Sequence, residues 1–343
     1  MKFYSCNHVQ HFYLKFAGHI SDAQLRYCCI PVKDKLLPNV LLTKNYKKNL
    51  NGLIELRKSI IHENMAFSSP NPPSERKFTK TCADCRFYRL AEWGESSTIT
   101  DVEFGMYPAP CQSWCVYCGV AHGENRKKFF HFDEQEHGEY YEAIFGTLQY
   151  AKRTRLLSNK IFWKISSGEY SVHPYKKEIA DLIGCDAAMW YTNAFVYDDY
   201  IATNLKANPN SLVYVSIDCG TAETWEKVKG HDNFHNAMDN LIDYSCQATH
   251  PNQIYLKYIV LPEINDNEAD ITNFVEIIKI FKANRVEISP NEPMAFNDGD
   301  YGRKTVIATA KLLSKLHANN IQFYWGRFPQ NMQNEVIEHI KSM

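Results

Sequence analysis

Cys111-Gln112-Ser113-Trp114-Cys115-Val116-Tyr117-Cys118 sets three thiols at an x3, x2 spacing, straight after the strand-like run Ile99 to Tyr107. Three thiolates this close can hold three irons of a cubane cluster from one loop. A closed four-iron ferredoxin cluster needs a fourth cysteine, and its usual run supplies one followed by Pro. Here Gly119 follows Cys118, and the next cysteine along the chain is Cys185. One iron would be left open, and an open position separates a catalytic metal site from a purely structural one. The alternatives are a zinc loop, which wants a fourth partner nearby, or three core thiols.

Outward from this loop the pattern is regular. Strand-like runs at Thr100 to Tyr107, Ile161 to Ser166, Ala187 to Thr192, Leu212 to Ile217, Ile254 to Leu261, Val286 to Ser289 and Ile321 to Trp325 alternate with helical stretches. This βα alternation builds a parallel sheet, whose active sites gather at the C-terminal strand ends. The cysteine loop follows the first of these strands. After the second comes Ser166-Ser167-Gly168-Glu169, where a glycine permits close backbone approach and a carboxylate can hold an ammonium group. The fourth strand ends Val215-Ser216-Ile217-Asp218-Cys219-Gly220. Ser216 and Asp218 share one side of an extended chain and can bind hydroxyls, or Asp218 can cap the helix that follows. Asn193 ends the third strand and Asn265 follows the fifth, either as site groups or as turn residues.

The cysteine spacing, with Tyr117 just before the last thiol, resembles the cluster loop of the radical S-adenosylmethionine (SAM) enzymes. Ser167-Gly168-Glu169 resembles that family's Gly-Gly-Glu motif, with Ser167 replacing the first glycine. The resemblance covers about residues 99 to 325. It implies an α/β fold, a partial (βα)6 TIM-like barrel, and Ile321 to Trp325 then lies outside the barrel proper. It also implies a [4Fe-4S] cluster on Cys111, Cys115 and Cys118. SAM would be chelated at the open iron by its amino and carboxylate groups. Ser167, Gly168, Glu169, Asn193, Ser216, Asp218 and the backbone around Tyr117 would contact it. Reductive cleavage then gives a 5′-deoxyadenosyl radical that takes a hydrogen atom from a substrate, with electrons from a donor such as flavodoxin or ferredoxin.

Residues 1 to 98 read as irregular, apart from a helical pattern at Leu50 to Glu63 and a proline-rich loop at Ser68 to Lys80. So little regular structure calls for a staple. The order Cys6, Cys28-Cys29, Leu56-Arg57 and Cys82-x2-Cys85 resembles the twitch or SPASM-type modules that bind an auxiliary iron-sulfur cluster. Those modules usually follow the radical domain, whereas here the module precedes it. The ligand set implied is Cys6, Cys28, Cys82 and Cys85, with Cys29 as the substitute for Cys28. Structural zinc and ordinary thiols are the alternatives. The expected division is a cysteine-rich module over 1–98, the barrel over 99–325 and a C-terminal helix over 326–343.

The chain of 343 residues carries a net charge of −1, which gives no electrostatic case for nucleic acid or an anionic membrane surface. No run approaches a membrane span, and the N-terminus has no apolar signal region, so the eleven cysteines read as reduced, cytoplasmic and metal-binding. No Walker loop or Gly-x-Gly-x-x-Gly turn is present, and His231 and His235 lack the glutamate of a zinc hydrolase. Glu103, Lys164, Lys257 and Glu287 interrupt apolar strands and either line a polar lumen or sit at solvated edges. The activity expected is hydrogen abstraction from a small polar molecule or sugar. A peptide maturase or epimerase is the second reading, and a non-catalytic zinc or iron-sulfur scaffold the third.

Overall fold

A computed structural model describes residues 2–18, 23–27, 39–76, 82, 88–94, 96–166, 168–283 and 285–343. Cys28, Cys29, Cys85 and Ser167 therefore lie outside the described residues. In chain order the first elements are β1 (Lys2–Ser5), α1 (Asn7–Gln10), β2 (Tyr13–Gly18), β3 (Gln24–Arg26), β4 (Val40–Leu41), α2 (Tyr46–Phe67), β5 (Arg89–Glu92), β6 (Ile99–Met106), α3 (Gly123–Phe130), α4 (Glu134–Arg153) and β7 (Leu157–Ser166). There follow α5 (Lys176–Ile183), β8 (Ala187–Thr192), α6 (Asp199–Ala207), β9 (Leu212–Ser216), α7 (Ala222–Lys229), α8 (Phe234–Gln247) and β10 (Ile254–Val260). The chain closes with α9 (Glu268–Ile280), β11 (Arg285–Pro290), α10 (Glu292–Asn297), α11 (Gly299–Ala318), β12 (Tyr324–Trp325) and α12 (Gln330–Ser342). Two compact units result, one of residues 1–109 with 131–168, the other of 110–130 with 169–343.

In the first unit β6 pairs in parallel with both β2 and β7, and β3 and β4 extend the β2 edge antiparallel. The run Tyr13–Gly18, which carried no strand signal among its aromatics, is thus a full partner of β6. Period-two alternation explains it: Leu14 and Phe16 are buried, with Phe16 stacked on Phe104 at 5.7 Å, while Tyr13 and Lys15 reach Glu103 on the other face. Of the apolar face Leu53, Leu56, Ile60 and Ile61 expected from the sequence, helix α2 buries Leu53, Ile60 and Ile61 and adds Leu50, while Leu56 is only half-buried; Asn45 caps the helix through Lys48 N.

A staple does hold this region, and among the described residues it is Arg57. Its buried guanidinium donates to the carbonyls of Val9 (2.7 Å), Gln10 (2.8 Å) and Ser96 (2.9 Å). One side chain thereby ties α2 to the segments before β2 and β6. Cys6 and Cys82 are both half-buried. Burial pushes the Tyr88 hydroxyl pKa up, partly offset by its hydrogen bond from Arg76.

In the second unit β8 to β12 run parallel in chain order, with β8 on β9, β9 on β10, β10 on β11 and β11 on β12. All seven strand runs expected between 99 and 325 form strands, joined largely by helices, and the fold is α/β with the parallel, chain-ordered strands of a βα architecture. Strong starts fix the helices: Asp198, Thr221, Asn267 and Asp298 cap α6, α7, α9 and α11 with their side chains. Each of the four strand charges finds a partner across a neighbouring strand. Glu103 meets Lys15 at 2.6 Å, Lys164 meets Asp101 at 3.7 Å, and Lys257 meets Glu287 at 3.7 Å.

Candidate active site

The cysteine loop is held from several sides by groups distant in sequence. Trp114 N donates to Lys229 O (2.9 Å) and Val116 N to Val228 O (3.0 Å), so the loop docks on the last turn of α7. Arg126, from α3, donates to Cys111 O (2.9 Å) and Ser113 O (2.8 Å), while its guanidinium lies 3.6 Å from the Trp114 ring centroid. His122 Nε2 is 3.0 Å from Cys115 O, and His231 Nε2 is 2.9 Å from Gln112 O. None of these partners carried a local signal in the sequence. His231, which follows the end of α7, thus braces the loop.

Gly230 ends α7 in the left-handed conformation, φ +71°, where glycine carries no steric penalty. A Cβ there would stand 2.6 Å from Trp114 Cβ. Gly230→Ala is therefore expected to lose about 2–4 kcal/mol of stability, from the left-handed backbone and the overpacking together, which urea denaturation checks. Iron retention by the reconstituted protein should fall with it, because the clash falls on the loop itself.

Burial pushes the Cys111 thiol up to about 12, and the Glu169 charge adds to the effect. Cys118 is also raised, chiefly by burial. Such thiols ionise when a cation replaces the lost solvation, as a metal does. Among the described residues no three His, Cys, Asp or Glu side chains gather closely enough for a single metal ion. A cubane cluster differs in this respect, because its ligands bind separate irons and stand farther apart than the ligands of one ion.

Beside Cys111 lies the decisive group. Glu169 is 1% exposed, and its carboxylate accepts from Thr192 Oγ1 (2.8 Å), Asn193 N (2.6 Å), Ser171 Oγ (3.0 Å) and Ser171 N (3.3 Å). All four donors are neutral. Burial raises its pKa, only partly offset by these bonds. Its own N–H donates to Pro110 O at 2.7 Å, fixing it against the residue before Cys111. Gly168, immediately before it, takes φ +60°, which accounts for glycine there. Asn193 Oδ1 accepts from Phe195 N (2.9 Å) and Gln112 Nε2 (3.4 Å), leaving Asn193 Nδ2 and Gln112 Oε1 buried with no hydrogen-bond partner among the described residues. Among the described residues, a buried carboxylate without a cation and two orphaned amide atoms around one cysteine describe a place built for a charged, polar occupant.

The chain matches no protein-family description and no curated protein. Among solved structures it is similar to SuiB of Streptococcus suis bound to the precursor peptide SuiA, at 10% identity over 98% of this chain and 75% of that one, TM-score 0.48. It is also similar to SuiB bound to S-adenosylmethionine, at 10% identity over 95% and 73%, TM-score 0.46. A third is a radical SAM methyltransferase from Sphaerobacter thermophilus, at 14% identity over 64% of each chain, TM-score 0.42.

The remaining expected site residues divide. Ser216 ends β9 opposite Lys257. Asp218 lies past that strand in a left-handed conformation, φ +59°, and it is fully buried. Its carboxylate pairs with Lys229 Nζ, accepts from the Tyr117 hydroxyl at 2.7 Å and from Ile259 N at 2.7 Å. Lys229 also donates to the Tyr117 hydroxyl at 2.8 Å. Burial pulls the Lys229 pKa down, but Asp218 and Cys115 outweigh it and the net direction is up. Asp218 does not cap α7, because Thr221 does so and Asp270 binds the N–H groups of Gly220 (2.9 Å) and Thr221 (3.0 Å). Asn265 is the turn residue of its strand end, accepting from Leu261 N and donating to the carbonyls of Asp218 and Ile259.

Proposed function

We propose that this chain is a radical SAM enzyme. The observation that carries the reading is the buried carboxylate of Glu169 set beside Cys111, which meets no cation among the described residues, with the amides of Gln112 and Asn193 next to it likewise orphaned among them. An ammonium group supplies the charge that Glu169 lacks, and a carboxylate or hydroxyl can take the Asn193 amide N–H. Cys111, Cys115 and Cys118 would hold a [4Fe-4S] cluster, with Gly168, Glu169 and Asn193 orienting the amino acid end of SAM. The pair, when bound, supplies one-electron cleavage of the sulfonium to a radical that abstracts hydrogen from substrate. The chain's own part is positioning: Arg126, His231 and α7 fix the loop, and the buried surroundings of Glu169 exclude water. Ser167 and Ser216 complete the cofactor set in this reading. The carboxylate of Asp218, fully buried and committed to Lys229, Tyr117 and Ile259 N, supports the site from behind instead of contacting SAM as expected. Tyr117 contributes its backbone, since its hydroxyl is committed to Asp218 and Lys229.

The substrate in this reading is a small polar molecule or sugar, with a peptide as the second choice. Electrons come from a flavodoxin or ferredoxin. Cys6 and Cys82 would hold an auxiliary cluster together with Cys28 and Cys85. A reducing cytoplasm suits both clusters, and among the described residues no helix is long and apolar enough to cross a membrane. The test is 5′-deoxyadenosine release from SAM by the anaerobically reconstituted, reduced protein. Product from the parent and at least about a hundredfold less from Cys115→Ala is the expected result, since an activated cluster needs all three thiolates. Bound zinc, no affinity for SAM and no product would overturn the reading in favour of a scaffold.

A further inference from the structure

Ser113 lies between the first two cysteines of the loop and is tied to both of them. Its N–H hydrogen-bonds Cys111, and its Oγ stands 3.0 Å from Cys115 Sγ. The residue is 2% exposed, so water does not compete for that hydroxyl. Its carbonyl accepts from Arg126 at 2.8 Å, and the next residue, Trp114, donates from its N–H to Lys229 O at 2.9 Å. The backbone that carries the hydroxyl is thus fixed. A second acceptor is in reach, Lys229 O at 3.3 Å, and with one proton the hydroxyl makes one of these bonds at a time. A Cys115 thiol can donate to Ser113 Oγ, which then points its own proton at Lys229 O. A Cys115 thiolate has no proton to give, so the hydroxyl must turn and donate to the sulfur. The charged acceptor is the stronger of the two and also the nearer. Lys229 O is not orphaned by the exchange, because it keeps the Trp114 N–H.

We infer that Ser113 sets the reduction potential of the cluster that the loop would hold, through a hydrogen bond from its hydroxyl to the Cys115 sulfur. The inference rests on the [4Fe-4S] reading of Cys111, Cys115 and Cys118 and names a residue that tunes it. A donor on a ligand sulfur stabilises the more negative, reduced state more than the oxidised one, so it raises the potential. In buried surroundings solvent does not replace such a donor once it is removed. The Tyr117 hydroxyl is also in reach of Cys115, but its one proton goes to Asp218 at 2.7 Å, and it accepts from Lys229. Ser113 acts through Cys115 and is a positioning residue, not a catalytic one.

Redox titration of the anaerobically reconstituted full chain tests it, with the reduced cluster read by electron paramagnetic resonance and iron content matched between proteins. Ser113→Ala should lower the midpoint by at least a tenfold change in the one-electron reduction equilibrium, about 59 mV. Ser113→Thr keeps a hydroxyl on the same carbon and should hold that equilibrium within about threefold of the parent. If Ser113→Ala retains no iron, Ser113→Gly removes the same hydroxyl and is titrated in its place. A role in loop structure alone would change iron retention and leave the potential where it was. A potential unmoved in Ser113→Ala at matched iron, or lowered as far in Ser113→Thr, would overturn the inference while the [4Fe-4S] reading stands. A parent that takes up no redox-active cluster would overturn both.

Discussion

Replacing Lys229 by Met is expected to cost about 3–5 kcal/mol of folding stability, because it strands the Asp218 carboxylate in the interior. Lys229 is 1% exposed and Asp218 is fully buried, so solvent cannot make up the lost charge. The Tyr117 hydroxyl and Ile259 N–H would remain as neutral donors and soften the loss without removing it. In Asp218→Asn/Lys229→Met the charge is gone from both sides, while an Asn carbonyl still accepts from Ile259 N and its amide can donate to Tyr117. That double variant should regain at least about 2 kcal/mol of the single variant's loss, a coupling that urea denaturation of the four proteins measures directly. Additive losses would show that the pair is not what the last turn of α7 rests on. The same turn supports Trp114 and Val116, so Lys229→Met should also loosen the cysteine loop.

This example marks the limit of what a sequence displays. The cysteine loop and Glu169 were legible because each is a short local pattern at a strand end. The parallel strands were legible for a related reason: Ala187–Thr192 and Leu212–Ser216 are compact runs bounded by clear helix signals. Lys229, Arg126, His231 and Asp270 were not, since each acts on a partner whose identity is set by the fold. Lys229 in particular is the last residue of α7, where a lysine suits the helix dipole and needs no other reason. Tyr13–Gly18 escaped notice because one of its faces is made of Tyr and Lys, whose partner Glu103 lies about ninety residues on. Arg57, too, shows its purpose only when the three carbonyls it collects are brought together. The strand charges signalled a polar face, but which charge met which depended on pairing register.

Glu169→Gln should separate what this residue does for folding from what it does for binding. In the folded chain its pKa is raised by burial, so the folded state holds its proton more tightly than the unfolded state does. Stability from this group is therefore fully present below the ordinary carboxylate pKa near 4.5 and is lost as pH rises toward the raised folded value. Gln cannot ionise and removes that loss, although its amide must face the Asn193 N–H, a mismatch of about 1–3 kcal/mol that does not vary with pH. The stability of Glu169→Gln relative to the parent should thus improve as pH rises from about 4.5, seen in urea midpoints of the cluster-free protein. Binding should go the other way. With the cluster reconstituted and iron content matched, SAM affinity by equilibrium dialysis at neutral pH should fall about 100-fold, the scale of losing one buried charge partner. An ammonium on Glu169 would hold the carboxylate ionised and offset its desolvation, so parent and variant should diverge most when the ligand is present. A variant that binds SAM as tightly as the parent would remove Glu169 from the cofactor site. If the relative stability also failed to change with pH, the buried carboxylate would not be the strained, ligand-seeking group on which the proposed function rests.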